Sequence, residues 1–255
     1  MVPLLVGVAG VLLGAAAAHV AEAIMAHRPL ERPSCPYCQS PYTPLQWCVL
    51  LGWITGQGRC RNCGKGMRWA RLAGELFLGL VWGGLVARYN TSPRLFLALL
   101  VAVPLSMVLV TDLETRLIPN RIMLPSVAVL LVVSPLIGLA VPGVTTWQWW
   151  HGLAGGVVGF LVFWLLGAVG EALVGEGALG AGDVKLAAYI GLAVGFPLIV
   201  EALLLTFLLG GVGAGLVLLA RRGSLHTAIP YGPFLVLGAA AVMLYGPEIA
   251  HWFFG

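Results

Sequence analysis

Eight apolar stretches, near residues 3–25, 72–88, 95–111, 122–141, 151–173, 185–197, 198–220 and 231–253, leave this chain of 255 residues little choice of fold. A bilayer core takes roughly 20 apolar residues per helix, and within it the helix must satisfy its own backbone N–H and C=O groups. Only 9% of the residues are charged, against about 25% in a soluble domain, too few to solvate a globular surface. The expected fold is an all-α polytopic membrane protein with about eight transmembrane helices. The sixth stretch is short and contains Gly191 and Gly195, and Pro197, which lacks an N–H, divides it from the seventh. No basic residue precedes the first stretch, and Arg28 follows it. A secretory signal has the opposite order, so this stretch reads as a retained first span.

Eight spans put both termini on one side, and the basic residues say which. Segment 26–71 holds seven of them, Arg28, Arg32, Arg59, Arg61, Lys65, Arg68 and Arg71. Loops on the same side add Arg116, Arg121, Lys185, Arg221 and Arg222, leaving only Arg88 and Arg94 for the other. Positive charge collects on the cytoplasmic side, so both termini are expected outside; a seven-span chain would strand Arg221 and Arg222 there. Topology therefore accounts for the net charge of +4, and no nucleic-acid partner is expected beside the lipid bilayer. The chain divides into a first transmembrane helix (1–25), a cytoplasmic segment (26–71) and a transmembrane core (72–255).

The cytoplasmic segment contains all five cysteines. Four are spaced Cys35-x2-Cys38 and Cys60-x2-Cys63, with 21 residues between the pairs. A two-residue gap lets both sulfurs of a knuckle turn toward one ion, and two knuckles complete a tetrahedral site for Zn²⁺. Pro36 inside the first pair and Gly64 after the second supply turns. A reducing cytoplasm disfavours the competing reading, disulfides. So small a zinc ribbon has almost no core, and the metal would supply most of its folding energy. Cys48, beside Trp47, is expected to pack rather than to bind metal.

With ten acidic residues in all, each one near a span is informative. Asp112 opens Asp112-Leu113-Glu114-Thr115-Arg116-Leu117-Ile118-Pro119-Asn120, and Asp183 ends Gly180-Ala181-Gly182-Asp183, followed by Val184-Lys185. The charge-derived topology places both on the cytoplasmic side at the ends of spans, where an ionisable group is costly unless it has a function or a partner. Two such groups suit peptide hydrolysis: one carboxylate acts as base on a water while the other, protonated, polarises the scissile carbonyl. Gly180 and Gly182 would let a substrate backbone approach and would permit unusual dihedrals. Other readings stay open. Asp112 can cap the following helix or pair with Arg116, and a lone GxGD arises by chance in a chain with 35 glycines. Glu114 can stand in as the catalytic acid, though solvation or a pair with Arg116 is the expectation. Lys185 either pairs with Asp183 or marks the cytoplasmic boundary. Glu22, Glu75, Glu171, Glu176 and Glu201 belong to no motif, and Glu22 and Glu201 fall within spans without explanation. The scattered His19, His27, His151, His226 and His251 form no HExxH, and there is no GxSxG elbow or Walker A loop.

Taken together, these motifs resemble the bacterial type IV prepilin peptidases, the leader peptidases of type IV pilus and type II secretion systems. The likeness spans nearly the whole chain. It rests on Ser34-Cys35-Pro36-Tyr37-Cys38, Pro44-Leu45-Gln46-Trp47 and Gly58-Arg59-Cys60-Arg61-Asn62-Cys63-Gly64, then on Asp112-Leu113-Glu114 with Ile118-Pro119-Asn120. Gly180-Ala181-Gly182-Asp183-Val184-Lys185 and Tyr231-Gly232-Pro233-Phe234 follow in the family's order. The resemblance implies an inner-membrane enzyme whose catalytic pair is Asp112 and Asp183, supported by Gly180, Gly182 and Lys185. It implies cleavage of prepilins or pseudopilins on the cytoplasmic face, after a glycine and before their apolar segment. In many members the new N-terminal amine is then methylated by S-adenosylmethionine, an activity that goes with the cysteine-bearing domain. No dinucleotide-type fingerprint marks a cofactor pocket, and beyond a possible contribution from Glu31 and the Arg-rich loop no residues are assigned to it.

Three other functions compete. A GxGD intramembrane peptidase without methyl transfer would share the second motif, but the cysteine domain and Pro119-Asn120 favour the prepilin group. A transporter using intramembrane carboxylates would place them at mid-membrane, often with an inverted repeat; here they cluster at one face. A membrane-anchored zinc module that only binds partners would leave both aspartates idle.

Overall fold

A computed structural model describes residues 1–137, 148–175, 179–219 and 230–254. Glu176, Arg221, Arg222 and His226, and the ends of the spans expected to close near 141 and 220, lie outside the described residues. The described chain is helical apart from two isolated β-bridges. Long helices run over α1 (Val2–Met25), α3 (Trp69–Arg88), α4 (Pro93–Thr115), α5 (Asn120–Ile137), α6 (Trp150–Val174), α7 (Ala181–Val194), α8 (Leu198–Leu219) and α9 (Gly232–Phe254). The short α2 (Val49–Ile54) and a 3₁₀ turn at Pro44–Gln46 lie in the segment between α1 and α3. The eight long helices fall where eight spans are expected. Six are long and apolar enough to cross a membrane by themselves, while α5 and the 14-residue α7 fall short of that measure. This is a multi-pass membrane protein.

Glycine sets how closely the helices approach, as small residues do where lipid offers no hydrophobic drive for helix association. A Cβ on Gly10 would lie 2.8 Å from the Leu78 carbonyl oxygen, and one on Gly14 would lie 2.9 Å from Glu75 Cα, so the α1–α3 seam is closed by backbone. Gly155 and Gly159 of α6 meet Gly191 and Ala187 of α7 in the same way. α7 is tied to α4 by the buried Tyr189 hydroxyl, which donates to the Val101 carbonyl at 3.1 Å. It ends at Gly195, whose φ of 75° suits a residue without a Cβ, and α8 starts after Pro197. The break therefore falls where Pro197 points to it.

Two helix ends differ from expectation. α4 runs one turn past its expected limit, so Asp112 sits inside a helix that closes at Thr115, and Arg116 follows in a left-handed conformation (φ 56°). α3 starts at Trp69, three residues earlier than the expected span. Following the chain through the bundle, the C-terminal ends of α1 and α4 and the N-terminal ends of α3, α5, α7 and α9 share one end of the molecule with the cysteine segment. At the opposite end Arg88 pairs with Glu248 and the Tyr89 hydroxyl donates to the Leu244 carbonyl at 2.9 Å.

Candidate active site and metal centre

The two aspartates meet at the end of the bundle that carries the cysteine segment. Asp112 occupies the last turn of α4 and is 4% exposed. Asp183 occupies the first turn of α7, its N–H bonded to the Gly180 carbonyl at 3.0 Å, and is partly buried. Asp183 lies in the electrostatic field of Asp112. The Gly232 N–H, opening α9, donates to Asp112 Oδ2 at 3.0 Å. A Cβ on Gly232 would lie 2.7 Å from that oxygen, so only glycine brings this N–H so close without displacing the carboxylate. Asp112 thus has a hydrogen-bond partner on α9, while the Arg116 charge also acts on it. Gly232 is the residue whose role sequence reasoning missed. Its motif, Tyr231-Gly232-Pro233-Phe234, was visible, but the partner 120 residues away was not.

The glycines beside Asp183 serve mainly as space. A Cβ on Gly180 would lie 3.2 Å from Asp183 Oδ2, and one on Gly182 would lie 2.8 Å from Ile118 Cβ. Gly182 thus lets α7 close against the linker between α4 and α5. Gly180 has ordinary extended backbone (φ −71°, ψ 135°), so no unusual dihedral is involved there. The Lys185 ammonium donates to Asn120 Oδ1 at 2.7 Å, joining α7 to α5 and leaving Asp183 without a bonded cation among the described residues. Glu114 pairs with Arg68 at 2.5 Å rather than with Arg116.

The cysteine segment builds two matching knuckles. Cys35 N–H donates to the Ser40 carbonyl and Cys60 N–H to the Lys65 carbonyl, both at 2.9 Å. The residue after each second cysteine, Gln39 (φ 58°) and Gly64 (φ 70°), takes the left-handed conformation that turns the chain back. The four sulfurs of Cys35, Cys38, Cys60 and Cys63 lie within 4.8 Å of one another, with Cys35–Cys63 at 3.6 Å and Cys38–Cys60 at 3.7 Å. Sulfurs at tetrahedral corners about 2.3 Å from zinc stand roughly 3.8 Å apart, so the cluster fits one ion. The Cys63 N–H, then the Ser40 hydroxyl and the Asn62 N–H, favour thiolate at Cys60 and lower its pKa to about 6. Cys48 lies outside the cluster, buried, its thiol donating to Glu75 Oε2 at 3.3 Å. Burial, then the nearby Glu75 charge, raises it to about 11.

Glu75, which belongs to no motif, is fully buried on α3 and accepts the N–H groups of Val49 at 2.8 Å and Leu50 at 2.9 Å. It caps α2 from outside and fastens the cysteine segment to the bundle. Glu22 lies 3.7 Å from the buried Arg71, while Glu201, in the first turn of α8, is fully buried with both oxygens unpartnered among the described residues.

The protein is thus a helical membrane bundle with two neighbouring carboxylates at one end and, beside them, four thiols placed to hold one metal ion. The type IV leader peptidase family matches residues 98–215, and the bacterial Peptidase A24 N-terminal domain matches residues 8–89. A prepilin leader peptidase/N-methyltransferase from Bacillus subtilis (strain 168) is 30% identical over 225 residues, covering 87% of this chain and 85% of the relative. The protein of that name from Aeromonas hydrophila is 30% identical over 88% of this chain and 75% of its own, and that from Aeromonas salmonicida (strain A449) is 31% identical over the same shares. No solved structure matches. The chain belongs to the type IV leader peptidase family.

Proposed function

We propose that this protein is an aspartyl endopeptidase of the bacterial inner membrane that removes the leader of type IV prepilins or pseudopilins and then methylates the new N-terminus with S-adenosylmethionine. The observation that carries the reading is the meeting of Asp112 and Asp183 at the bundle end that also carries the basic cysteine segment. That end faces the cytoplasm, with both termini outside, so the dyad stands where a prepilin's leader leaves the bilayer. α7, at 14 residues, spans about 21 Å of a hydrocarbon core roughly 30 Å thick. A helix of that length does not cross the core by itself, and Asp183 sits in its first turn, at the end read as cytoplasmic.

One carboxylate takes a proton from a water, which attacks the scissile carbonyl carbon. The other, protonated, donates to the carbonyl oxygen and afterwards helps return a proton to the leaving amine. Gly232 holds one oxygen of Asp112, leaving the other to address the water. Gly180, Gly182 and the Lys185–Asn120 bond fix the turn that presents Asp183. Residues 26–71 form the cytoplasmic domain, where Cys35, Cys38, Cys60 and Cys63 hold a structural Zn²⁺ that replaces the missing hydrophobic core. The names of the relatives support the methyl transfer.

The test is the N-terminal mass of a prepilin co-expressed with the protein. A trimmed product one methyl heavier than the bare peptide, absent with Asp112→Asn and with Asp183→Asn, is expected. Cleavage surviving either substitution would remove the dyad; trimming without added mass would remove the transferase.

A further inference from the structure

Two cavities with charged side chains in their walls adjoin where α1, the start of the cysteine segment and α4 meet. One, of 250 Å³, is lined by His19, Glu22, Arg28, Glu31 and Arg68 among others; the second, of 240 Å³, by Glu22, Arg68, Thr111 and Glu114. They share Glu22, Ala26 and Arg68 as a common wall. From these we infer that the trough is the binding site of the methyl donor, a zwitterionic amino acid carrying a sulfonium. This deepens the transferase reading proposed above and rests on it.

Three features point to a ligand. Charges of both signs face one space: Arg28, Arg32 and Arg68 suit an α-carboxylate, while Glu22, Glu31 and Glu114 suit an ammonium, a sulfonium and ribose hydroxyls. Second, the buried oxygen Glu114 Oε1 has no hydrogen-bond partner among the described residues, whereas Glu22 Oε1 pairs with Arg71 Nε at 3.7 Å. Buried polar atoms are ordinarily satisfied, and here a ligand donor would complete the Glu114 carboxylate. Third, the trough is framed: His19 Nε2 donates to the Glu31 carbonyl at 2.7 Å, holding the linker after α1 over it, and Arg68 spans it to Glu114.

The location suits the second reaction. Thr111 and Glu114 line the trough from the same turn of α4 that carries Asp112. The two sites are thus separated by about one helix diameter, roughly 10 Å, and the amine freed at the dyad needs only a short shift to reach the donor. There the neutral amine's lone pair attacks the methyl carbon, the carbon–sulfur bond breaks, and its electron pair stays on sulfur as the neutral thioether. The methylated ammonium then releases one proton to water.

The experiment uses the full-length protein in detergent with its metal retained, the wild type beside Glu22→Gln and Arg28→Gln. It reads three quantities: binding of sinefungin, a donor analogue with an amine in place of the sulfonium; methylation of a co-expressed prepilin; and cleavage with metal content as the check on folding. Losing one charge-assisted hydrogen bond weakens binding about tenfold or more. Both variants should therefore bind sinefungin at least tenfold more weakly and stop methylating while still cleaving. Normal binding and methylation in both variants would put the donor elsewhere and overturn the site. A wild type that neither methylates nor binds would instead sink the transferase reading beneath it. Two substitutions on separate elements guard against one merely misfolding.

Discussion

Replacing Gly232 by alanine should disable the peptidase without touching an ionisable group. The new Cβ would stand 2.7 Å from Asp112 Oδ2 and 3.0 Å from its Cγ, whereas ordinary contact begins near 3.4 Å. The carboxylate, on a 4% exposed residue with little room to retreat, must give by about 0.7 Å. A misplacement of about 1 Å can cost roughly a hundredfold in rate, so a ten- to hundredfold loss in kcat is expected. Overpacking of this kind also costs about 1–3 kcal/mol of stability, which should lower the thermal midpoint without unfolding the protein. Gly211→Ala is the control: it lies within α8, nothing stands within 4 Å of its would-be Cβ, and alanine is the better helix former by about 1 kcal/mol. Its cleavage rate should match the wild type. The assay is the initial rate of leader release from a purified prepilin at saturating substrate, with metal content measured alongside. If Gly232→Ala cleaves at the wild-type rate, the close approach of α9 does not position Asp112, and the account of the late glycine motif is wrong.

The metal cluster should bind one zinc per chain by elemental analysis. Cys60→Ser should abolish it, whereas Cys48→Ser should leave it intact, since Cys48 Sγ bonds to Glu75 rather than joining the cluster. Glu75→Gln leaves an acceptor for only part of a carboxylate that now takes the N–H groups of Val49 and Leu50 and the Cys48 thiol. Weakening buried bonds to a charged group should cost about 2–4 kcal/mol, read as faster proteolysis between residues 26 and 68; unchanged protection would show that the anchor lies elsewhere. Cys48 has its pKa raised from 9.0 to about 11. The buried neutral thiol therefore contributes stability that is whole below the unfolded value and is lost as pH rises through about 11. Alkylation of Cys48 in the folded protein should stay slow at pH 8 and climb only above pH 10, and a midpoint near 9 would contradict that.

What the sequence made legible is what short-range physics decides. A span is written in its own 20 or so residues because the bilayer core demands them. Each CxxC knuckle is likewise closed by bonds within one turn, such as Gln39 N–H to the Cys35 carbonyl at 2.8 Å. The dyad could be suspected because charge in so apolar a chain is rare enough to count. Pairings between distant residues could not be read. Glu114 had Arg116 two residues away, yet the left-handed turn at Arg116 ends the helix there, and Arg68, 46 residues back, takes the carboxylate. Lys185 had Asp183 two residues away but reaches Asn120. Glu75 looked idle because its partners lie 25 to 27 residues upstream, beyond the second cysteine pair. In each case the nearest opposite charge or polar group was a poor guide. Helix geometry keeps residues two apart on different faces, so a partner must come from three or four residues away or from another element. The same rule gives the molecule its working shape. Because Glu75 fastens α2 to α3 and Arg68 fastens the segment's end to α4, the metal module is tied to the helix that carries Asp112 at a point one turn or less from it. A shift of that module would therefore act directly on the end of α4 that carries Asp112.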